Sequence, residues 1–148
     1  MSKRRVVITG TGCVTSLAEN SEDFFKALCE GESGISGIES FDVTEYPVKF
    51  GGEIKNFRPQ DHIDQRECKR MDRFTQLALV SAMEAVKDSG LDFESQNKEK
   101  IGVIVGSGIG GIGEMEGQHR KLLNGGARRV SPFLIPKLMI NAAAGRTA

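Results

Sequence analysis

The chain has 148 residues, the length of one ordinary domain, with 39% apolar and 27% charged residues and a formal net charge of zero. That balance fits a soluble globular protein, and no apolar run approaches the ~20 residues that a bilayer span needs. The basic start "MSKRRVVITG" carries only a short apolar run, too short for a secretory signal core, so a cytoplasmic protein is expected.

In chain order, "RRVVITG" predicts a buried strand at Val6–Ile8 that feeds a glycine turn. "NSEDFFKALCEG" predicts a helix capped at Asn20 or Ser21 and stopped at Gly31, with Phe24, Phe25 and Leu28 on one face. "GESGISGI" reads as a glycine-rich loop, and "VKFGGEI" fits a short strand bent at Gly51 and Gly52. A long helix is expected from Asp64 or Arg70 to Ser89, because Met71, Phe74, Ala78, Ala82 and Ala85 recur at three-to-four spacing. "SQNKEK" is a polar connection, and "IGVIV" predicts a second buried strand at Ile101–Val105. "GEMEGQHRKLLNGG" reads as a helix that ends at Gly125 and Gly126. "SPFLIP" reads as extended or turn-like on account of its two prolines, and "KLMINAAAG" as a final helix. Strands alternating with helices argue for an α/β layered fold.

The zero net charge hides an uneven distribution. From Gly117 to Ala148 there is no Asp or Glu, while Arg120, Lys121, Arg128, Arg129, Lys137 and Arg146 are basic. Arg66, Lys69, Arg70 and Arg73 fall at i, i+3, i+4 and i+7, which places them on one helical face, with Asp72 elsewhere around the turn. Read without other information, these are solvated faces. Nucleic acid is a poor fit as partner, since there is no recognition motif, aromatic interleaving or overall basic charge.

Three cysteines, Cys13, Cys29 and Cys68, lack C-x-x-C spacing, which argues against a disulfide framework or a zinc site. Cys29 is expected to pack as a small apolar residue, and Cys68, amid charges, to be exposed. Cys13 follows a strand and a glycine turn but has no nearby histidine, so a packed structural thiol is preferred to a nucleophile. His62 and His119 sit in polar contexts and read as solvated, and Ser107 lacks the G-x-S-x-G elbow.

Gly106, Gly108 and Gly111 in "GSGIGG" fit the dinucleotide fingerprint G-x-G-x-x-G. The fingerprint wants an acidic residue ~20 positions later, and the corresponding stretch "GGARRVSP" holds none. Its arginines leave an NADP-dependent reductase as a rival reading. A tight packed turn is the simpler one.

The ordered set "TGTGCVTSL", "GESGI", "FGGEI", "KRMDRFTQLAL", "GVIVGSGIGG", "NGGARRVSPFLIP" and "NAAAG" resembles the N-terminal part of β-ketoacyl-acyl carrier protein synthases, condensing enzymes of the thiolase fold, and their synthase II-like members in particular. Ser16 stands where a proline is usual, and Phe24 where tryptophan is common. The resemblance implies that residues 1–148 form a β-ketoacyl synthase N-terminal domain of α/β class, a partial thiolase-like layered fold incomplete at its C-terminus. It implies decarboxylative condensation of an acyl thioester with malonyl-acyl carrier protein. That chemistry takes a thiolate nucleophile and donors that stabilise the enolate and oxyanion. The family's cysteine, two histidines and lysine lie downstream of the matched segments. No catalytic residue is therefore assigned, and this chain alone is expected to be inactive and incompletely stable.

The resemblance also implies that Ile109 lines the acyl tunnel and gates chain entry. Leu134 and Ile135 match positions that reach the partner subunit's tunnel across a homodimer interface. Arg66, Lys69, Arg70, Arg128 and Arg129 match positions that dock the acidic helix of acyl carrier protein. No cofactor, metal, nucleic acid or membrane is implied. A rival from another class is a non-catalytic remnant that keeps only carrier or subunit contacts.

Overall fold

The first helix begins where a side chain can cap it. Asn20 accepts the Asp23 amide at 2.8 Å, and α1 runs from Ser21–Glu30 until Gly31 takes the left-handed conformation (φ 75°). In the computed structural model, which describes residues 3–148, five further helices follow. They are α2 (Gln65–Arg70), α3 (Arg73–Ser89), α4 (Ile112–Gly125), α5 (Leu134–Leu138) and α6 (Ala142–Thr147). Two short strands, β1 (Ser36–Gly37) and β2 (Phe50–Gly51), pair antiparallel, with Ser36 opposite Gly51 and Gly37 opposite Phe50. The chain divides into two compact units, one of residues 3–57 and 81–91, the other of residues 58–80 and 92–148.

In the first unit, Ala27 and Phe57 are buried. The turn after Ile8 lies against the second half of α3: a Cβ on Gly12 would meet the Ser81 carbonyl oxygen and come within 2.7 Å of the Ala85 nitrogen. Only glycine lets the backbones approach so closely. Carboxylates of α3 hold this turn by its amides. Glu84 accepts Cys13 N at 2.8 Å and Ser21 N at 2.7 Å, and Asp88 accepts Thr11 N at 2.8 Å. In the second unit, Met71, Val80 and Ala143 are buried, with Thr75 and Gln118 among them. Thr75 is wholly inaccessible, and its hydroxyl has no hydrogen-bond partner among the described residues.

Several sequence expectations are corrected. Val6–Ile8 and Ile101–Val105 are neither buried nor in a ladder among the described residues; Val6 is 88% exposed and Ile104 100%. A β-branched run favours extended backbone, but a strand needs a paired neighbour as well. The long helix takes the later of its two expected starts and ends at Ser89 as expected, while Gln65–Arg70 forms a helix of its own, α2. Met71 turns extended (φ −113°, ψ 146°) with its side chain buried, and Asp72 Oδ1 then accepts Phe74 N at 3.2 Å as a fresh start for α3. Gln76 Nε2 donates to the Cys68 carbonyl at 2.9 Å and so satisfies the end of α2. "SPFLIP" enters a helix, because Pro136 lies in the first turn of α5, where an N–H has no intrahelical partner to lose. "KLMINAAAG" is broken at Met139, which is extended, into α5 and α6. The cysteines trade places: Cys29 is exposed, because α1 buries Ala27 rather than the Phe25–Leu28–Cys29 side, and Cys68 is half-buried with its thiol 3.5 Å from the Ile63 carbonyl.

Candidate functional site

All the cations singled out by sequence lie in the second unit. Asp64 caps α2 by accepting Arg66 N at 2.8 Å, and the short helix presents Arg66, Lys69 and Arg70 to solvent. Arg73 does not share their face, because the chain leaves the helix at Met71 before Arg73 opens α3. Arg128 and Arg129 sit on a 3-10 turn, Ala127–Arg129, directly after α4, and both are exposed.

These cations are not equivalent. Arg66, Lys69, Arg128 and Arg129 make no ion pair among the described residues. Arg70 is committed: Nη1 lies 3.1 Å from Glu67 Oε1, and its guanidinium stands 5.9 Å over the Phe133 ring. The second oxygen of Glu67 takes Arg146 Nη1 at 2.7 Å. Such half-exposed pairs contribute only about 0–1 kcal/mol each, so Arg70 remains exchangeable. A surface with four uncommitted cations raises the local concentration of an acidic partner and orients it.

The glycine turn is built for packing on a neighbouring segment. Gly110 is left-handed (φ 69°), its amide donates to Ser107 Oγ at 3.0 Å, and Gly111 N donates to the Leu138 carbonyl at 3.3 Å. A Cβ on Gly110 would come within 2.6 Å of that carbonyl oxygen, and one on Gly111 within 2.7 Å of the Lys137 oxygen. Gly106 and Gly108 face open space, so two of the three fingerprint glycines are not required by crowding. Ile109 projects from this turn and is 58% exposed. On α5, Leu134 is half-buried and Ile135 exposed. A cavity of about 580 Å³ in this unit is lined by Met71, Asp72, Gly110, Ile112, Glu114 and Lys121 among others, and none of these three apolar residues lines it.

Beneath the surface lies a polar lock that the sequence did not announce. Gln118 on α4 is buried; its Nε2 donates to Glu114 Oε1 at 2.8 Å, and its Oε1 accepts Ser131 N at 2.8 Å. Glu114 pairs with Lys137 of α5 at 3.3 Å, with side chains 18% and 16% exposed. This lock fixes the segment that leads from Arg128 and Arg129 to α5. The i, i+4 spacing of Glu114 and Gln118 is the signal that was available for it. Cys13 is half-buried, with its amide held by Glu84, while His62 and His119 are exposed. Among the described residues no group of three His, Cys, Asp or Glu is placed to hold a metal ion, and no helix is long and apolar enough to cross a membrane.

Comparison with known proteins places this arrangement. The chain is 44% identical over 145 residues to 3-oxoacyl-[acyl-carrier-protein] synthase 2 of Staphylococcus aureus (strain COL), a match that covers 98% of this chain and 35% of that protein. The chain thus spans about a third of the length of the curated relatives it matches. Among solved structures, the ishigamide ketosynthase/chain length factor superposes with a TM-score of 0.81 at 25% identity, covering 99% of this chain and 37% of that one. A type II PKS acyl-carrier protein in complex with its ketosynthase (AntDE:AntF) superposes with a TM-score of 0.79 at 20% identity, covering 98% of this chain and 38% of that one, and so bears on the fold alone. The fold is therefore α/β and thiolase-like, as in those ketosynthases. A family model described as "Beta-ketoacyl synthase, N-terminal domain" matches residues 3–148, and the chain belongs to that family.

Proposed function

We propose that this chain is the N-terminal part of a cytoplasmic, homodimeric 3-oxoacyl-acyl carrier protein synthase, where it supplies carrier docking and part of the acyl tunnel. The whole enzyme would condense an acyl thioester with malonyl-acyl carrier protein in fatty acid elongation. The observation that carries the reading is the set of exposed cations, Arg66, Lys69, Arg128 and Arg129, that meet no carboxylate among the described residues, with Arg70 only loosely held. An acidic carrier protein fits such a surface, and one structural neighbour is a ketosynthase in complex with an acyl-carrier protein. Ile109 would line the tunnel at the glycine turn, and Leu134 and Ile135 would meet the second subunit; the exposure of Ile109 and Ile135 is what such contacts require.

The test is a charge-reversed variant with Glu at Lys69, Arg70, Arg128 and Arg129, titrated calorimetrically with acyl carrier protein in the whole synthase. Affinity should fall about a hundredfold at low salt, and the loss should shrink as salt rises. Unchanged affinity overturns the docking surface. In the whole enzyme, Ile109→Phe should penalise long primers more than short ones, since overpacking costs ~1–3 kcal/mol and each buried methylene is worth ~0.8 kcal/mol. An equal loss at every primer length counts against a tunnel-lining role.

A further inference from the structure

We propose that Glu114, Gln118 and Lys137 are positioning residues for chain-length selection: through them α4 holds the Ile109 turn and α5 in one fixed frame. The inference rests on the tunnel reading of Ile109, Leu134 and Ile135 above and adds three polar side chains to it. Neither the turn nor α5 is built to hold its own position. α5 has five residues, too few for a helix to persist alone, and Phe133 at its N-cap makes no side-chain hydrogen bond to it. In the turn, Gly106 and Gly108 face open space, while Gly110 and Gly111 pack on the carbonyls of Leu138 and Lys137. Gly111 N also donates to the Leu138 carbonyl. The place of Ile109 is thus tied to the end of α5.

α4 fixes α5 at both ends. Ahead of its start, buried Gln118 accepts Ser131 N at 2.8 Å, and the Ser131 carbonyl accepts Leu134 N at 3.1 Å. At its end, Lys137 Nζ reaches Glu114 Oε2 at 3.3 Å. Glu114 Oε1 accepts Gln118 Nε2 at 2.8 Å, which joins the two ties into one network. Glu114 stands in the first turn of α4, so the same network starts beside the glycine turn. A little-exposed ion pair adds little net stability, because desolvation offsets the attraction. Its directional bonds, however, admit one arrangement where apolar contacts would admit several. A primer long enough to pass Ile109 gains contact from each methylene along a wall held in place, and a short primer does not reach it. Loosening the frame therefore weakens long primers selectively.

The test uses the whole synthase, a series of acyl primers, and the variants Lys137→Met, Glu114→Gln and the two together. Lys137→Met keeps the stem and removes the charge, and Glu114→Gln keeps an oxygen for Gln118. With the longest primer, KM should rise about threefold in each single variant while kcat stays within about 1.5-fold. With the shortest primer, kcat/KM should stay within about 1.5-fold of the parent. The double variant should match the single ones instead of multiplying them, since all three break one contact. Gln118→Leu, which strands the Ser131 amide, should raise KM for the longest primer by roughly tenfold. Kinetics unchanged in every variant, or a loss equal at every primer length, would overturn the proposal; the equal loss would mark a merely structural network. Multiplied effects in the double variant would show that Glu114 and Lys137 act separately and would overturn it too. Ile109→Phe, assayed in parallel, keeps the two readings apart. If it does not discriminate by length, the tunnel reading falls and the frame with it. If it discriminates and the network variants do not, the frame alone falls.

Discussion

Two sets of charged side chains, one in each unit, do different work. In the unit of residues 3–57 and 81–91, carboxylates are spent on backbone amides. Glu84 holds Cys13 and Ser21, Asp88 holds Thr11, and Glu53 holds Glu39 and Ser40 at 2.9 and 2.8 Å. In the unit of residues 58–80 and 92–148, the cations of α2 and of the turn after α4 are mostly left without partners. Charge that satisfies the chain's own backbone builds structure. Charge left over in water adds little stability and is free to act on something else. Substitutions in the two sets should therefore separate stability from binding.

The sharpest test of that division is Glu84→Ala. It strands two amides, one in the glycine turn and one at the start of α1, and should cost about 2–4 kcal/mol in urea unfolding while leaving carrier affinity unchanged. A loss below ~0.5 kcal/mol would break the comparison. Gly12→Ala forces a methyl against the α3 backbone and should cost about 1–3 kcal/mol, again with no effect on binding. Thr75→Val should raise stability by about 1 kcal/mol, because it removes a desolvated hydroxyl that lacks a partner; a destabilised variant would show that the hydroxyl is satisfied in solution. By contrast, Arg128→Glu with Arg129→Glu should leave the unfolding free energy within ~0.5 kcal/mol of the parent.

The smallest effect concerns the thiols. Burial, and then the Asp64 charge, push the Cys68 thiol above its ordinary value. The folded chain therefore keeps a proton that the unfolded chain gives up. This contribution to stability is full below the ordinary thiol value and is lost as pH rises from there through the raised value of the folded chain. Iodoacetamide at mildly alkaline pH should modify exposed Cys29 well before Cys68. Equal rates at the two would show that the α2 end opens readily.

The helices of both units were legible in proportion to how local their causes are. Asn20 and Gly31 bracket α1 within its own sequence, and α4 ends at its glycines as expected. The break at Met71 was hidden because the three-to-four spacing of apolar and basic residues runs straight through a non-helical residue, and only Asp72, a capping type, marks it. The strands failed for a different reason: Val6–Ile8 shows its preference, but pairing is a property of a second segment that the run itself does not contain. In the candidate site, the exposed cations were readable from charge alone. The tie of Glu67 to Arg146, 79 positions away, was not, nor was the seating of Arg70 on Phe133.

The exposed Val6–Ile8 run also bears on how the protein behaves at high concentration. Lys3, Arg4 and Arg5 stand immediately before it, three positive charges on the approach to an exposed apolar stretch that pairs with no strand among the described residues. Flanking charges of one sign make it costly for two such stretches from different molecules to align side by side, the role of gatekeeper residues. Their protection acts through space and is weakened by salt, whose screening length shrinks from ~10 Å at 0.1 M to ~3 Å at 1 M. Solutions of this chain should scatter light more as sodium chloride is raised, and Arg4→Ser with Arg5→Ser should bring the onset to lower salt.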